Sequence, residues 1–262
     1  MKTYISSRTN ETVVALAKLK DKKERDNTSL YLCEGYKLCK EAVGLVQVKY
    51  ALVRENKSEN EEYISLAENS GGEVIILSDG AFDKITTDKA SDGIIFIVKK
   101  ENERQINVES IKDERVCALD NVRDPGNVGT ILRSAAAFGF DRVILWGCAD
   151  LYNPKTVRAS MGALFKIKTT VVEEPVQLIK ELKNSGRRVI ATALAQNSMT
   201  LGKDKIFASD CPVIGNEGHG ISEEILNACD ATMIIPMSGR TESLNAAVAA
   251  AVVLWEYGRE TL

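Results

Sequence analysis

Apolar and polar positions along this chain switch repeatedly between a helical and an extended period. From Thr9 to Asp26, Val13, Val14, Leu16, Ala17 and Leu19 recur at helical spacing and run into the charged stretch KLKDKKERD, which predicts one amphipathic helix with a basic end. Short apolar runs then alternate with helical patterns: strand 31–35 (YLCEG), helix 36–45, strand 49–53, helix 59–69 stopped by Gly71-Gly72, strand 74–77, helix 79–85 and strand 94–98. This alternation makes a small α/β domain. Residues 99–114, KKENERQINVESIKDE, are charged and poor in large apolar groups, as a linker is. Domains are therefore expected at 1–100 and 115–262, joined by a linker at 101–114.

A second alternation starts at residue 115. Strand 115–119 enters the loop Asp120 to Gly126, and Asn127 is expected to cap a helix over 128–138 that Gly139 ends. Strand 142–146, helix 155–164, strand 167–172, helix 175–184 and strand 188–194 follow. Two more apolar runs, Val213-Ile214 and Thr232 to Pro236, and a long Ala/Val helix from Ser243 to Tyr257 close the pattern. Strands joined by such helices form a parallel sheet, here of about six strands.

Parallel α/β sheets bind ligands at the carboxyl ends of their strands. Three stretches concentrate polar groups there. Gly215-Asn216-Glu217-Gly218-His219-Gly220 follows an apolar run, and its glycines let the backbone turn tightly and approach a ligand. It lacks the Lys-Ser/Thr of a P-loop, and no G-x-G-x-x-G of a dinucleotide fold is present. IPMSGRTESLNAA mixes apolar and hydrogen-bonding groups, which suits an amphiphilic, adenosine-like ligand. In the third, Asn127 and Arg133 stand out, the arginine six positions after the asparagine in a largely apolar helix with Ile131, Leu132, Ala135, Ala136, Ala137 and Phe138. A buried or half-buried arginine there needs either a structural carboxylate or a substrate phosphate.

Composition narrows the chemistry. With one histidine, His219, zinc sites built on two or three histidines are excluded, and no C-x-x-C pair offers another metal site. The six cysteines read as reduced and mostly buried, in a cytoplasmic protein without a signal peptide. No apolar run approaches the roughly 20 residues that cross a bilayer. The net charge of −3 does not advertise nucleic-acid binding, but residues 1–57 hold 12 Lys/Arg against 7 Asp/Glu, a local excess able to meet phosphates.

Together, DNVRDPGNVGTILRSAAAFG, VIGNEGHGI and IPMSGRTESLNAAVAAAV resemble, in order and spacing, the three motifs of the SpoU/TrmH-type RNA 2′-O-ribose methyltransferases of the SPOUT superfamily. The first segment, with YLCEGYKLCKEAV, looks like that family's small RNA substrate-binding domain. The resemblance implies an α/β fold whose parallel-sheet domain carries a C-terminal trefoil knot. It implies S-adenosylmethionine as cofactor, RNA as substrate (rRNA favoured over tRNA) and a homodimer formed through the knotted domain. Arg133, Asn127, Glu217, Ser243 and Asn245 match the motif positions assigned to catalysis. Ala193, Leu194, Ala195, Gly215, Asn216, Gly218, Ile235, Met237 and Leu244 match those around the cofactor, and no metal is implied. The nearly all-apolar final helix supports a dimer independently, since such a helix needs covering on more than one face. The alternatives are a tRNA 2′-O-methyltransferase and a non-catalytic RNA-binding or ribosome assembly factor of the same fold.

Overall fold

In a computed structural model, which describes residues 2–88, 90–101, 106–195, 197–241 and 243–259, the Thr9–Asp26 pattern folds as two helices, not one. α1 (Glu11–Ala17) ends in a 3-10 turn, Asp21 is extended, and α2 (Lys22–Thr28) starts after it. The break is stabilised by Arg25, which is buried and donates to the carbonyls of Leu19 (2.8 Å) and Lys20 (2.7 Å). These are carbonyls that a continuous helix would have used itself.

The chain forms two units, Met1–Glu101 with Asp150–Phe165, and Asn102–Ala149 with Lys166–Leu262. The first holds β1 (Lys2–Ile5), β2 (Leu30–Glu34), α3 (Tyr36–Ala42), β3 (Val48–Arg54), α4 (Glu61–Asn69), β4 (Glu73–Leu77), α5 (Asp79–Ile85) and β5 (Ile94–Lys99). Its five-stranded sheet has the order β1-β4-β3-β5-β2, parallel except where β5 pairs with β3 and β2. β1 escaped the pattern because it is an edge strand, mostly exposed. The core gathers Val13, Leu16 and Leu19 with Phe82, Ile95 and Ile97.

Residues 150–165 were expected within the second domain, but they pack in the first unit. They carry α7 (Pro154–Ser160), which lies against β2. Asp150 accepts from Arg25 Nε (3.0 Å) and Nη2 (2.6 Å), and this pairing lets the guanidinium stay buried. Residues 102–105 of the expected linker lie outside the described residues. Val108 and Ile111 of the same stretch form a 3-10 turn and are buried in the second unit's core, so these apolar side chains end the linker early.

The second unit holds β6 (Val116–Asp120), α6 (Pro125–Ala137), β7 (Arg142–Trp146), β8 (Lys168–Val171), α8 (Pro175–Asn184), β9 (Val189–Thr192), β10 (Met199–Thr200), β11 (Cys211–Ile214), α9 (Glu223–Ala228), β12 (Ala231–Ile234) and α10 (Ala246–Gly258). Its sheet has seven strands in the order β10-β12-β9-β11-β6-β7-β8, and every pairing is parallel. The extra strand is the two-residue β10. α10 packs on α6, where Trp255 meets Phe138 edge-on at 5.6 Å. All six cysteines are free.

Candidate active site

Because β12, β9, β11 and β6 are neighbours in a parallel sheet, the loops that leave their carboxyl ends lie side by side. The loop after β11 folds back on itself. Asn216 and Gly220 exchange backbone hydrogen bonds of 2.8 and 3.0 Å. The Asn216 side chain is fully engaged, accepting from the N–H groups of Gly218 (2.9 Å) and His219 (3.1 Å) and donating to the carbonyl of Asn121 (2.7 Å). At Gly215 a Cβ would lie 2.6 Å from the Gly220 carbonyl carbon and 2.7 Å from the Ile221 nitrogen, so only glycine allows this closure.

The loop delivers Glu217 to the start of α6. The helix does not begin where the pattern placed it. Asp124 is the cap, accepting from Asn127 N–H at 3.0 Å, and Pro125 occupies the first turn, where a missing N–H costs nothing. Asn127 thus sits inside the helix with its side chain released from capping. Its Nδ2 donates to Glu217 Oε1 (2.8 Å), and its Oδ1 accepts from Asn245 Nδ2 (3.1 Å). Asn245 also caps α10 through Ala247 and Val248, so the final helix starts after Ser243 and Leu244 rather than including them. Glu217 further accepts from the backbone N–H groups of Arg123 (3.3 Å) and Asp124 (3.4 Å). Partial burial pushes its carboxyl group up, but the Asn127 amide and the backbone donors outweigh that and leave its pKa below the ordinary glutamate value. Glu217 is therefore ionised at neutral pH and holds Asn127, which in turn accepts from Asn245.

A second polar cluster centres on Asp120, fully buried at the end of β6. Its Oδ1 accepts from Trp146 Nε1 (2.9 Å) and Asn121 Nδ2 (2.6 Å), and its Oδ2 accepts from Ser222 N (2.8 Å) and Ser222 Oγ (3.1 Å). The carboxylate joins the loops after β6, β7 and β11. Asn121 takes a left-handed φ of +56°, and the facing Gly147 must be glycine because a Cβ there would collide with the Asn121 amide. Asp120 and Asn121 were missed in the sequence. The one available signal was an acid ending an apolar strand.

Asn127, Glu217 and Asn245 are thus hydrogen-bonded together. Arg133 and Ser243 are not: no hydrogen bond joins either side chain to the other three. Arg133 was expected to be buried or half-buried but is exposed, because its position on α6 faces away from the side that buries Ile131, Leu132 and Ala135. No carboxylate pairs with it among the described residues. Of the expected cofactor residues, Ala193, Leu194 and Ala195 follow β9, Gly215, Asn216 and Gly218 follow β11, and Ile235 and Met237 follow β12. Leu244 precedes α10 and is half-buried. Leu194 is 88% exposed and Met237 is also exposed. Apolar side chains left open at adjacent strand ends fit an amphiphilic nucleoside. Among the described residues no group of His, Cys, Asp and Glu is placed to hold a metal ion.

Comparison with known proteins identifies the lineage. The SpoU rRNA Methylase family matches residues 114–255. The chain belongs to this family. An MRM3-like substrate binding domain matches residues 10–95 of the same SpoU methylase. The 23S rRNA (guanosine(2553)-2′-O)-methyltransferase RlmP of Bacillus subtilis is 34% identical over 96% of this chain and 97% of its own length. An rRNA methyltransferase from Sinorhizobium meliloti, solved with AdoMet bound, superposes with a TM-score of 0.86 at 30% identity, covering 100% of this chain and 99% of that one. The SpoU methyltransferase AviRb from Streptomyces viridochromogenes, in complex with AdoMet, gives 0.84 at 25% identity over 96% of this chain and 98% of that one. This SpoU methylase is accordingly an RNA ribose 2′-O-methyltransferase that uses S-adenosylmethionine.

Proposed function

We propose that the protein methylates a guanosine 2′-OH of 23S rRNA in the cytoplasm. The observation that carries this reading is the end-to-end similarity to the Bacillus subtilis enzyme, which spans both units and not the catalytic segment alone. The test offers unmodified 23S rRNA, 16S rRNA and tRNA in parallel with labelled cofactor. Label in 23S rRNA is expected, and label confined to tRNA would overturn the substrate assignment.

S-adenosylmethionine supplies an electrophilic methyl group on a sulfonium. The loops after β9, β11 and β12, with Ala193, Leu194, Ala195, Gly215, Asn216, Gly218, Ile235, Met237 and Leu244, would hold it. Backbone groups would provide most of the polar contacts there, since the side chains are largely apolar or, for Asn216, already engaged. Asn127, held by ionised Glu217, and Asn245, bonded to Asn127, orient the ribose hydroxyl together with Ser243. A guanidinium stays protonated throughout the neutral range and is a poor base there. Arg133 acts through charge instead, binding the adjacent phosphate and stabilising the oxygen as it becomes an alkoxide, while the hydroxyl proton passes to solvent water at this exposed face. Selection of the 2′-OH is also how RNA is told from DNA.

The same proposal includes a trefoil knot in the C-terminal segment and a homodimer. Support for the dimer lies on α10, where Val248, Val252 and Trp255 stay exposed in a row. They line a groove of ≈ 490 Å³ that also reaches Asn127 and Asn245, so the site borders the face a second subunit would cover. Val252→Arg is expected to convert the dimer to monomer at micromolar concentration by sedimentation and to reduce methyl transfer at least tenfold. An unchanged sedimentation coefficient would place the interface elsewhere.

A further inference from the structure

Arg123 lies in the loop between β6 and α6, and none of the roles above uses its side chain. We propose that its guanidinium is an RNA-binding group that grips a backbone phosphodiester beside the methylated ribose, an inference that rests on the ribosomal RNA reading above.

The backbone around Arg123 is fixed on both sides. Asn121 N–H donates to the Trp146 carbonyl (3.0 Å), the Val122 carbonyl accepts from Ala149 N–H (2.9 Å), and Val122 is fully buried. The N–H groups of Arg123 and Asp124 both point at Glu217. The side chain is aimed as well. Buried Asp120, an acceptor only, takes the amide NH₂ of Asn121 at 2.6 Å and so turns Asn121 Oδ1 the other way. That oxygen accepts from Arg123 Nη2 at 2.9 Å. The chain Ser222, Asp120, Asn121, Arg123 thus runs from the buried sheet edge to an exposed guanidinium.

The nature of this support matters. Asn121 offers a neutral acceptor, so it orients the guanidinium without neutralising it. Among the described residues no carboxylate pairs with Arg123, and its remaining donors are open to solvent. A charged, pre-oriented fork with free donors matches a phosphate's geometry, and holding it in advance reduces the entropy lost on binding. Glu217, whose carboxylate accepts from the Arg123 and Asp124 backbone, ties this arginine's position to that of Asn127. The competing partner is the cofactor carboxylate, since the β11 loop beside β6 carries Gly215, Asn216 and Gly218, and cofactor affinity in the variants separates the two.

The test uses the full-length protein with Arg123→Ala and Arg123→Lys. Binding of an unmodified 23S rRNA transcript is measured across a salt series, with kcat, KM for the transcript and affinity for S-adenosylmethionine. Arg123→Ala is expected to raise Kd and KM for the transcript about tenfold and to lower the slope of log K against log salt by about one, the signature of one lost phosphate contact. Cofactor affinity should stay within about twofold and kcat within about threefold by the same reasoning. Arg123→Lys should restore the slope but only part of the affinity, since a point charge replaces the fork. An unchanged Kd and slope in Arg123→Ala, or a loss of cofactor affinity, would overturn the assignment. Failure of the unaltered protein to bind and methylate the transcript would overturn the ribosomal RNA reading itself, and that outcome is visible before any variant is compared.

Discussion

Arg133→Ala is expected to lower kcat about 10³-fold, ~4 kcal/mol of lost transition-state stabilisation, while S-adenosylmethionine affinity stays within a few-fold. The expectation follows from where the side chain stands. It is exposed, it has no carboxylate partner among the described residues, and it projects from a helix whose other face is packed in the core. A structural arginine would be paired, and its loss would cost stability. This one costs nothing to the fold when removed, so the thermal midpoint should move by less than about 2 °C. Arg133→Lys keeps the charge and loses the fork, and it should recover about a tenth of the rate if the group acts electrostatically. A large fall in cofactor binding by Arg133→Ala, measured by calorimetry, would show instead that the arginine supports the cofactor loops.

Asp120→Ala should have the largest effect on stability. Four donors converge on a fully buried carboxylate: Trp146 Nε1, Asn121 Nδ2, and the N–H and hydroxyl of Ser222. Removing the acceptor leaves buried donors without partners, each a loss of about 1–3 kcal/mol. Their sum is limited by relaxation and entry of water, giving ~3–5 kcal/mol and a fall of roughly 10 °C in the midpoint. Asp120→Asn should lose less, because one oxygen remains, yet its NH₂ must face a donor. Circular dichroism melts of the two variants give the comparison. A midpoint for Asp120→Ala within about 2 °C of the parent would mean that the three loops are held together by packing alone.

Much of this architecture was readable from the chain because its periodicity is strong. Helix Asp79–Ile85, strand Arg142–Trp146 and helix Pro175–Asn184 lie where the pattern put them, the first helix started by the Ser78 cap and the second by Pro175. The misplacements share a cause: local patterns do not record long-range pairing. β1 is exposed and short, and it is a strand only because β4 pairs with it. Arg25 splits the first helix by reaching back to carbonyls and across to Asp150, a residue far away in sequence. Residues 150–165 leave the sheet domain for the same reason.

The site was legible as motifs but not as geometry. Asn127 was read as a helix cap because asparagine before an apolar run usually is one. Asp124 takes that role through a proline-led first turn, and the release of Asn127 is what allows it to meet Glu217 and Asn245. Asp120 looked like the polar end of a strand, although it is the group on which three loops close. Arg123 carried no signal at all, since its significance depends on which way the Asn121 amide is turned.

The central claim is tested most directly by incubating the protein with labelled S-adenosylmethionine and an unmodified 23S rRNA transcript, digesting the product to nucleosides and weighing them. The account predicts a single 2′-O-methylguanosine, with no label on any base. A methylated base would keep the cofactor and the RNA but contradict the roles given to Asn127, Glu217, Asn245 and Arg133 around a ribose hydroxyl.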